Sequence, residues 1–379
     1  MSLRRFFPYS LFLLAQLGPL AGASRSAIDN LHLPSLFSKT GVHETRKASS
    51  LHLKSVGIFH VFHPPPWGGG NQFLMALRAE LQHRHVEVLD NQIAPHTTRV
   101  YMANAITFKT EPFAQAMKKI RRHDDRKLKL VHRLDGPYYC SRYGKDPRKE
   151  PKIINYSEDN RVYQINHQFA CASIFQSKWS LEMNRLLGYK PKEPVTVIPN
   201  AVNGDIFHNR SRREWDPYLT RQVRVLSSAW ANNERKGFKT YQWLDQHLPW
   251  GRYKYTYIGN LADGYSYDNI ETLPPVTSEE LAPLLRDHDI YIAASYLEPC
   301  SNALLEAMAS GMPVIYQKGS GHDELVKEAG LGYDVAEEIP DLLEKMVANY
   351  AYYQARINIL NIKQVTDMYL KVYDYCLSH

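Results

Sequence analysis

The sequence predicts an α/β protein built from two doubly wound parallel sheets. Short apolar runs, typical of strands buried on both faces, alternate with segments of helical spacing. The alternation pauses in the polar stretch 209–221 and restarts at Val223. A chain of 379 residues is also long enough for two domains of comparable size. We therefore expect two Rossmann-like domains that face each other across a cleft.

The first series of elements begins with the apolar run 56–62. A glycine loop at 68–70 follows this strand, and helical spacing begins at Asn71. A basic helix is expected at about 113–122. Further strands are predicted at 99–102, 129–132, 172–176 and 195–199. These elements define a first domain over residues 53–207.

The second series defines a domain over residues 208–358. A helix is predicted at 302–309, and a last helix occupies 359–375 within a C-terminal segment 359–379. The strands of this domain are predicted at 223–228, 255–259, 289–293 and 312–316.

The N-terminal segment 1–52 has the features of a targeting sequence followed by a linker. Arg4 and Arg5 precede the apolar stretch 6–23, which ends in Ala-Gly-Ala, a small-residue cleavage pattern. A cleaved signal peptide, an uncleaved signal anchor and a transit peptide all fit this pattern. We expect entry into the secretory pathway (Golgi or ER lumen) or membrane association, with the cytoplasmic face as the alternative.

The charge and cysteine content restrict the partners. A net charge of +7 favours an anionic partner such as a nucleotide or an anionic membrane surface. The basic segment 117–152 is either a solvated face or a membrane-docking surface. No nucleic-acid-binding motif is present, so we expect no nucleic-acid partner. The four cysteines have no metal-site spacing, and free thiols are favoured over a single disulfide.

The residues with the clearest chemistry lie between 298 and 306. Glu298 follows a predicted strand, at the edge where doubly wound sheets bind ligands. Free N–H groups near Ser301 and Asn302, at the start of the next helix, suit a phosphate. Glu306, one turn further on, can accept two hydrogen bonds from a ribose diol.

These motifs resemble retaining glycosyltransferase family 4, whose members have the GT-B fold of two Rossmann-like domains. The resemblance rests on two glutamates seven residues apart, on the segment 307–315, on the basic turn in 227–238 and on 197–207, which resembles an interdomain hinge. It covers about residue 56 to the end and is strongest over 195–326.

The resemblance implies roles for individual residues of the second domain. Glu298 would contact the hydroxyls of the donor sugar, and Glu306 would hold the nucleotide ribose. Lys236, with Arg235 in support, would neutralise the donor diphosphate. Many family members carry an additional Gly-Arg pair where this chain has Ala229 and Trp230.

In the first domain, the resemblance implies that Gly69 and Gly70 face the donor phosphates and the acceptor, and that His132 reaches the transferred sugar. The implied activity is transfer of a sugar from a nucleotide diphosphate donor to a glycan, lipid-linked or protein-linked acceptor. A GT-B epimerase or phosphorylase and a catalytically degenerate nucleotide-sugar-binding protein are the alternatives.

A metal-dependent transferase would need an Asp-x-Asp motif after a strand. Asp287 and Asp289 have this spacing but precede their predicted strand, and Asp289 is better interpreted as a strand-entry residue. We therefore expect no metal and no cofactor beyond the nucleotide-sugar donor.

Overall fold

A computed structural model of the chain describes residues 53–107, 113–115, 117–118, 128–149 and 156–379. The predicted targeting segment and linker at 1–52, most of the basic helix at 113–122 and part of the basic segment 117–152 lie outside the described residues. The strands of the described residues form two six-stranded sheets, and every strand pair in them is parallel. The predicted α/β class with two Rossmann-like domains is therefore confirmed, whereas the domain boundaries stay predictions.

The first sheet has the strand order β2-β1-β3-β4-β5-β6. Its strands are β1 (Ser55–Phe59), β2 (Glu87–Asp90), β3 (Val100–Asn104), β4 (Lys129–Leu134), β5 (Ala170–Phe175) and β6 (Val195–Val197). The order reverses between β1 and β3. Ligands of doubly wound sheets bind outside the carboxyl ends of the strands at such a switch point.

Between β1 and β6 lie the helices α1 (Gly69–His83), α2 (Tyr138–Tyr143), α3 (Ser157–Phe169) and α4 (Lys178–Leu186). The amphipathic α1 buries Phe73, Leu77 and Leu81 against the sheet. The structure corrects the predicted glycine loop at 68–70, because α1 begins at Gly69 rather than at Asn71. Gly69 and Gly70 therefore form the first turn of a helix.

The second sheet has the order β12-β11-β10-β7-β8-β9, with its switch point between β10 and β7. Its strands are β7 (Val223–Ala229), β8 (Tyr253–Gly259), β9 (Glu271–Leu273), β10 (Ile290–Ala293), β11 (Val314–Gln317) and β12 (Gly330–Tyr333). Its helices are α5 (Phe238–His247), α6 (Ser278–Asp287), α7 (Asn302–Ala309), α8 (His322–Val326), α9 (Ile339–Ala348) and α10 (Tyr350–Gln354).

The chain ends in helix α11 (Ile362–Ser378), which returns to the first sheet. Asn361 and Gln364 form a capping box at its start, so the first N–H groups are satisfied. The buried face of α11 includes Val365, Tyr369 and Tyr373, which join the core beneath β1, β3 and β5. The C-terminal segment therefore packs as part of the first domain.

Three strands, β2, β9 and β12, were not predicted. β2 and β9 are edge strands of three or four residues with exposed positions, and β12 is glycine-containing, so each lacks a continuous apolar run. Among the described helices, none has the length and apolar character that crossing a bilayer requires.

Candidate active site

A cleft of about 320 Å³ lies between the carboxyl ends of the two sheets. The first domain lines it with the first turn of α1 and with the loop after β4, including Gly69, Gly70 and Asp135. The second domain lines it with the loops after β7 and β10, including Lys236 and Glu298. Both switch points therefore open onto one cavity, at the position where doubly wound sheets bind ligands.

The basic turn and the acidic loop of the second domain are joined at the cleft. Lys236 Nζ lies 2.9 Å from Glu298 Oε2, and Arg235 Nη1 lies 3.9 Å from the same oxygen. Burial by itself would raise the pKa of Glu298, but the charges of Lys236 and Arg235 outweigh burial and lower it to about 2. The carboxylate is therefore ionised at every physiological pH.

The backbone conformation explains why Lys236 and Arg235 lie so close to Glu298. Residues 234–236 form one turn of 3₁₀ helix, and Tyr296 N–H donates to the Arg235 carbonyl at 3.0 Å. Gly237 follows with a φ of 87°, and a Cβ there would meet the Ala294 carbonyl oxygen at 2.4 Å. Only glycine allows the basic turn to approach the end of β10 so closely.

Arg235 does not line the cleft as Lys236 does. Its guanidinium donates to the carbonyls of Tyr296 and Leu297 at 3.4 Å each, in addition to its ion pair with Glu298. Arg235 therefore holds the loop that carries Glu298.

Helix α7 brings its N-terminal end to the cleft. Ser301 is the N-cap residue, its Oγ accepts from Leu304 N–H, and Ser301 and Asn302 both line the cavity. The Asn302 side chain connects the domains: Nδ2 donates to the Gly69 carbonyl at 2.6 Å, and Oδ1 accepts from Asn200 at 2.7 Å. The Asn302 amide therefore fixes α1 against α7.

Glu306 lies one turn into α7, beside a smaller pocket of about 100 Å³ that adjoins the cleft. The pocket is also lined by Trp67 and Gln72 of the first domain and by Pro275 and Val276 after β9. Burial raises the pKa of Glu306 to about 7. Such a carboxyl is half-protonated near neutral pH and becomes charged where a polar partner compensates for its burial.

His132 lies within β4 rather than after it, and its side chain is fully buried. Its Nε2–H donates to the Ala105 carbonyl at 2.9 Å, and its Nδ1 has no partner among the described residues. Burial lowers the pKa of His132 to about 4, so the ring is neutral at pH 7. His132 is not among the described residues that line the cleft, so the structure does not bring it together with Glu298 and Lys236.

The loop after β4 instead presents Asp135, which is not among the predicted site residues. Asp135 lines both the cleft and a neighbouring pocket of about 520 Å³ that also includes Thr107 and Asn104. Burial raises the pKa of Asp135, and Arg133, whose Nη1 lies 4.0 Å away, opposes that rise. Asp135 could have been identified from the sequence as a carboxylate that directly follows a strand at the switch point.

Arg133 is a fully buried cation at this edge of the first sheet. Its Nη2 donates to Asn200 at 2.6 Å, and its Nη1 donates to Asn104. Its guanidinium carbon lies 4.9 Å from the centre of the Phe73 ring. The series Arg133, Asn200, Asn302 and Gly69 thus forms a continuous polar connection across the two domains.

Two tryptophans meet across the cleft. The ring centres of Trp67, from the loop after β1, and Trp230, from the loop after β7, are 4.5 Å apart. Each side chain keeps more than a third of its surface exposed. The resemblance to glycosyltransferase family 4 would place an arginine at position 230, and this chain presents a tryptophan ring there instead.

Asp287 and Asp289 lie at the opposite end of β10 from the cleft. Asp287 pairs with Arg213 and Arg224, and Asp289 pairs with Arg221 at 2.6 Å. In the described part of the chain, no group of three or more His, Cys, Asp and Glu side chains could hold a metal ion. Metal independence stays a prediction.

Comparison with known proteins identifies relatives of part of the chain. Residues 250–350 match the family model of glycosyl transferases group 1. Alpha-galactosylglucosyldiacylglycerol synthase of Streptococcus pneumoniae is 28% identical over an alignment of 191 residues, and the match covers 41% of this chain and 50% of that protein. The lipopolysaccharide core biosynthesis glycosyltransferase LpsE of Rhizobium meliloti is 26% identical over 162 residues, 37% and 46% of the two chains. The matches thus span about half the length of these curated relatives.

Solved structures resemble a larger part of the chain. Sucrose-phosphate synthase from Thermosynechococcus elongatus aligns with a TM-score of 0.64 and 15% identity over 86% of this chain and 99% of that one. Anabaena HepE in complex with UDP aligns with a TM-score of 0.59 and 16% identity, covering 85% and 100%. The fold is therefore that of GT-B glycosyltransferases, and over residues 250–350 the sequence is similar to the glycosyl transferases of group 1.

Proposed function

We propose that the protein is a retaining glycosyltransferase that moves a sugar from a nucleotide diphosphate donor to a glycan or lipid-linked acceptor. The observation that carries this proposal is the pairing of Lys236 with Glu298 beside the N-terminal end of α7. A cation, the positive end of a helix and a fixed carboxylate within one cleft suit a phosphorylated sugar.

In this proposal the second domain binds the donor. Glu306 accepts hydrogen bonds from the ribose, in the pocket that it shares with Pro275 and Val276. Lys236 and the first N–H groups of α7 neutralise the diphosphate and the charge that develops on it as the glycosidic bond breaks. Glu298 contacts the hydroxyls of the donor sugar.

The first domain presents the acceptor. The pocket of about 520 Å³ beside the cleft combines the Asp135 carboxylate, the Thr107 hydroxyl and the rings of Trp67 and Trp230. Carboxylates accept hydrogen bonds from hydroxyl groups, and aromatic faces pack against apolar faces of ligands. The names of the two curated relatives, a glycosyldiacylglycerol synthase and a lipopolysaccharide core enzyme, support a glycolipid acceptor.

A retaining reaction without a protein nucleophile completes the proposal. The acceptor hydroxyl attacks the anomeric carbon from the face that the diphosphate leaves, and a phosphate oxygen takes its proton. We further propose that the reaction needs no metal and that the basic segment 117–152 docks on an anionic membrane. The proposed location is the secretory lumen or a membrane surface, with the cytoplasmic face as the alternative.

The first experiment measures thermal stabilisation of the chain by uridine, guanosine and adenosine diphosphates and their sugars. Binding to the native state raises the melting temperature according to affinity and concentration. We expect one nucleotide series to stabilise the protein and Glu306→Ala to abolish the shift. Glycolipid transfer assays with that donor follow, with and without chelator. Inhibition by a chelator and recovery with Mn²⁺ would contradict metal independence.

A catalytically degenerate binding protein is the second candidate, favoured by one observation. Trp230 occupies a position where many related enzymes have an arginine, so only part of their positive charge is retained at the cleft. Donor binding without transfer to any of a broad range of acceptors would support this candidate. No shift with any nucleotide in a folded sample would contradict both.

A further inference from the structure

Two cysteines that are distant in the sequence contact each other where α11 covers the first sheet. Cys171 lies in β5 and Cys376 in the last turns of α11, and their Sγ atoms are 2.8 Å apart across 205 positions of sequence. A disulfide bond has an S–S distance of about 2.05 Å. Two thiols can be joined only where the backbone already brings their side chains together, and here it does.

We propose that Cys171 and Cys376 are a site of oxidative modification and form a disulfide that fastens the C-terminal helix to the first sheet. The oxidant is a small or protein disulfide that exchanges with the two thiols. This inference does not depend on the proposed transferase activity, because it concerns the face of the first sheet that α11 covers and not the cleft.

The burial of the two residues sets the order of the reaction. Cys171 is partly exposed, whereas Cys376 is 1% exposed. An external disulfide therefore reaches Cys171 first. The hydrogen bond with Cys376 lowers the pKa of the Cys171 thiol, which increases the fraction of reactive thiolate.

The oxidation takes place in two thiol–disulfide exchange steps. The Cys171 thiolate attacks one sulfur of the external disulfide, which forms a mixed disulfide and releases one thiol. The hydrogen bond with Cys171, and after it burial, raises the pKa of Cys376 in the reduced pair, and the mixed disulfide removes the Cys171 thiol that causes the larger part of this rise. The Cys376 sulfur then loses its proton, attacks the Cys171 sulfur of the mixed disulfide and releases the second thiol. The two protein thiols are oxidised by two electrons, and the external disulfide is reduced to two thiols.

The cross-link would join strand β5 to the C-terminal helix α11. Helix α11 places Tyr369 6.0 Å from the ring centre of Phe73 in α1, the helix whose first turn lines the cleft. Without a cross-link, the last turns of α11 contact the sheet through packing and through weak hydrogen bonds to sulfur, from Tyr373 to Met102 and between the two thiols. A bond that closes a loop of this length restricts the unfolded chain strongly, so the oxidised form should be the more stable one.

The other two cysteines provide internal controls. Cys140 and Cys300 are 1% and 6% exposed. Burial raises the pKa of both thiols, to about 12 for Cys300, which keeps them protonated and slow to exchange.

The full chain is equilibrated in a series of ratios of oxidised to reduced glutathione, quenched in acid, unfolded, alkylated and digested for mass spectrometry. We expect a linked peptide pair that joins Cys171 to Cys376 at oxidising ratios, with Cys140 and Cys300 alkylated throughout. Alkylated Cys171 and Cys376 at the most oxidising ratio, or a bond from either to Cys140 or Cys300, would overturn the proposal.

A second measurement compares the melting temperature of each variant under oxidising and reducing conditions. In the wild type and in Cys140→Ser, oxidation should raise it by about 5 °C. In Cys171→Ser and Cys376→Ser the difference should vanish. Since each variant is its own reference, a loss of stability from the substitution does not enter the result. A difference that persists in Cys171→Ser would count against the cross-link.

Discussion

Lys236 and Glu298 come from two different loops of the second sheet, yet Lys236 Nζ lies 2.9 Å from Glu298 Oε2 at the cleft. The two side chains are 18% and 16% exposed, so solvent screens the pair only in part. The contact explains the low pKa of Glu298 and gives Lys236 a fixed position before any ligand is bound. Each residue therefore has a structural and a proposed catalytic role, which substitutions can separate.

The first prediction concerns this pair. Lys236→Met should lower turnover by about 10²–10³-fold, because it removes a charge that stabilises the departing diphosphate. It should also destabilise the fold by about 1–3 kcal/mol, because Glu298 stays buried with only Arg235 at 3.9 Å. Urea unfolding at pH 7 of both single variants and the double variant Lys236→Met/Glu298→Gln measures the coupling.

The pair also predicts a pH dependence of stability. The pKa of Glu298 in the folded state, about 2, lies below its ordinary value of 4.5, so its stabilising contribution is present above pH 4.5 and lost as pH falls towards 2. Glu298→Gln should lack this part of the acid unfolding.

For the coupling between Lys236 and Glu298, the double variant decides. If its loss of stability equals the sum of the losses in the two single variants, the two side chains do not stabilise each other.

Glu306 carries the second prediction. Its pKa of about 7 lies above the ordinary 4.5, so the folded state becomes less stable as pH rises from about 4.5 to 7. Glu306→Gln should not show that decrease. If the ionised carboxylate binds the ribose, affinity for a nucleotide sugar should increase by up to about 10-fold between pH 6 and pH 8, and the Gln variant should lose that increase.

Calorimetric titration with nucleotide sugars at the two pH values tests this second prediction. A nucleotide sugar is the better ligand, because its diphosphate has no terminal phosphate that titrates in this range. Glu337→Gln, an exposed change in the second domain, is the matched control and should behave as the wild type. Equal pH dependence in Glu306→Gln and the wild type would remove Glu306 from the ribose site.

The third prediction compares two neighbouring glycines. A Cβ at Gly69 would lie 2.8 Å from the Asn302 Cβ, whereas a Cβ at Gly70 would meet nothing within 4 Å. Gly69→Ala should therefore push α1 away from α7, weaken the bond from Asn302 to the Gly69 carbonyl and cost about 1–3 kcal/mol. Gly70→Ala should be neutral or stabilising by up to about 1 kcal/mol, because alanine favours the helix.

Thermal unfolding and nucleotide binding of both glycine variants decide this comparison. The Gly70→Ala variant has the same change in composition and in backbone entropy, so it isolates the contact with Asn302. Equal stability of Gly69→Ala and Gly70→Ala would show that the domains can separate slightly at this point without cost.

The sequence predicted the parts of the fold that depend on local patterns. Each buried strand with a continuous apolar run was predicted within a few residues, and the helix at 302–309 has the predicted bounds. The edge strand β2 was not predicted, because its residues are partly exposed and because the strand is defined by its pairing with β1. Similarly, the start of α1 depends on the approach of Asn302, more than 200 residues away.

In the candidate site, too, some residues are predictable from local sequence patterns and others depend on how the chain packs. Glu298 and Lys236 belong to motifs that are readable along the chain, and the fold brings them together. The position of His132 depends on the exact end of β4, which an apolar run does not specify. Asp135 and the Trp67–Trp230 contact are products of the arrangement of the domains, so spacing in the sequence could not reveal them.

The last prediction tests whether His132 acts through structure or through chemistry. Its ring is buried, bonded to the Ala105 carbonyl and neutral at pH 7, so His132→Gln should cost about 1–3 kcal/mol and leave nucleotide affinity unchanged. The folded pKa of about 4 lies below the ordinary 6.5, so the stability due to the neutral ring is present above pH 6.5 and lost as pH falls to 4. Between pH 7 and pH 5 this loss is about 2 kcal/mol, and it should be absent from the variant. His60, whose pKa burial also lowers to about 4, keeps its own contribution in both proteins, so urea unfolding of the two proteins at each pH isolates His132. A variant with wild-type stability at both pH values and greatly reduced transfer would instead mean that the ring reaches the sugar in the bound state.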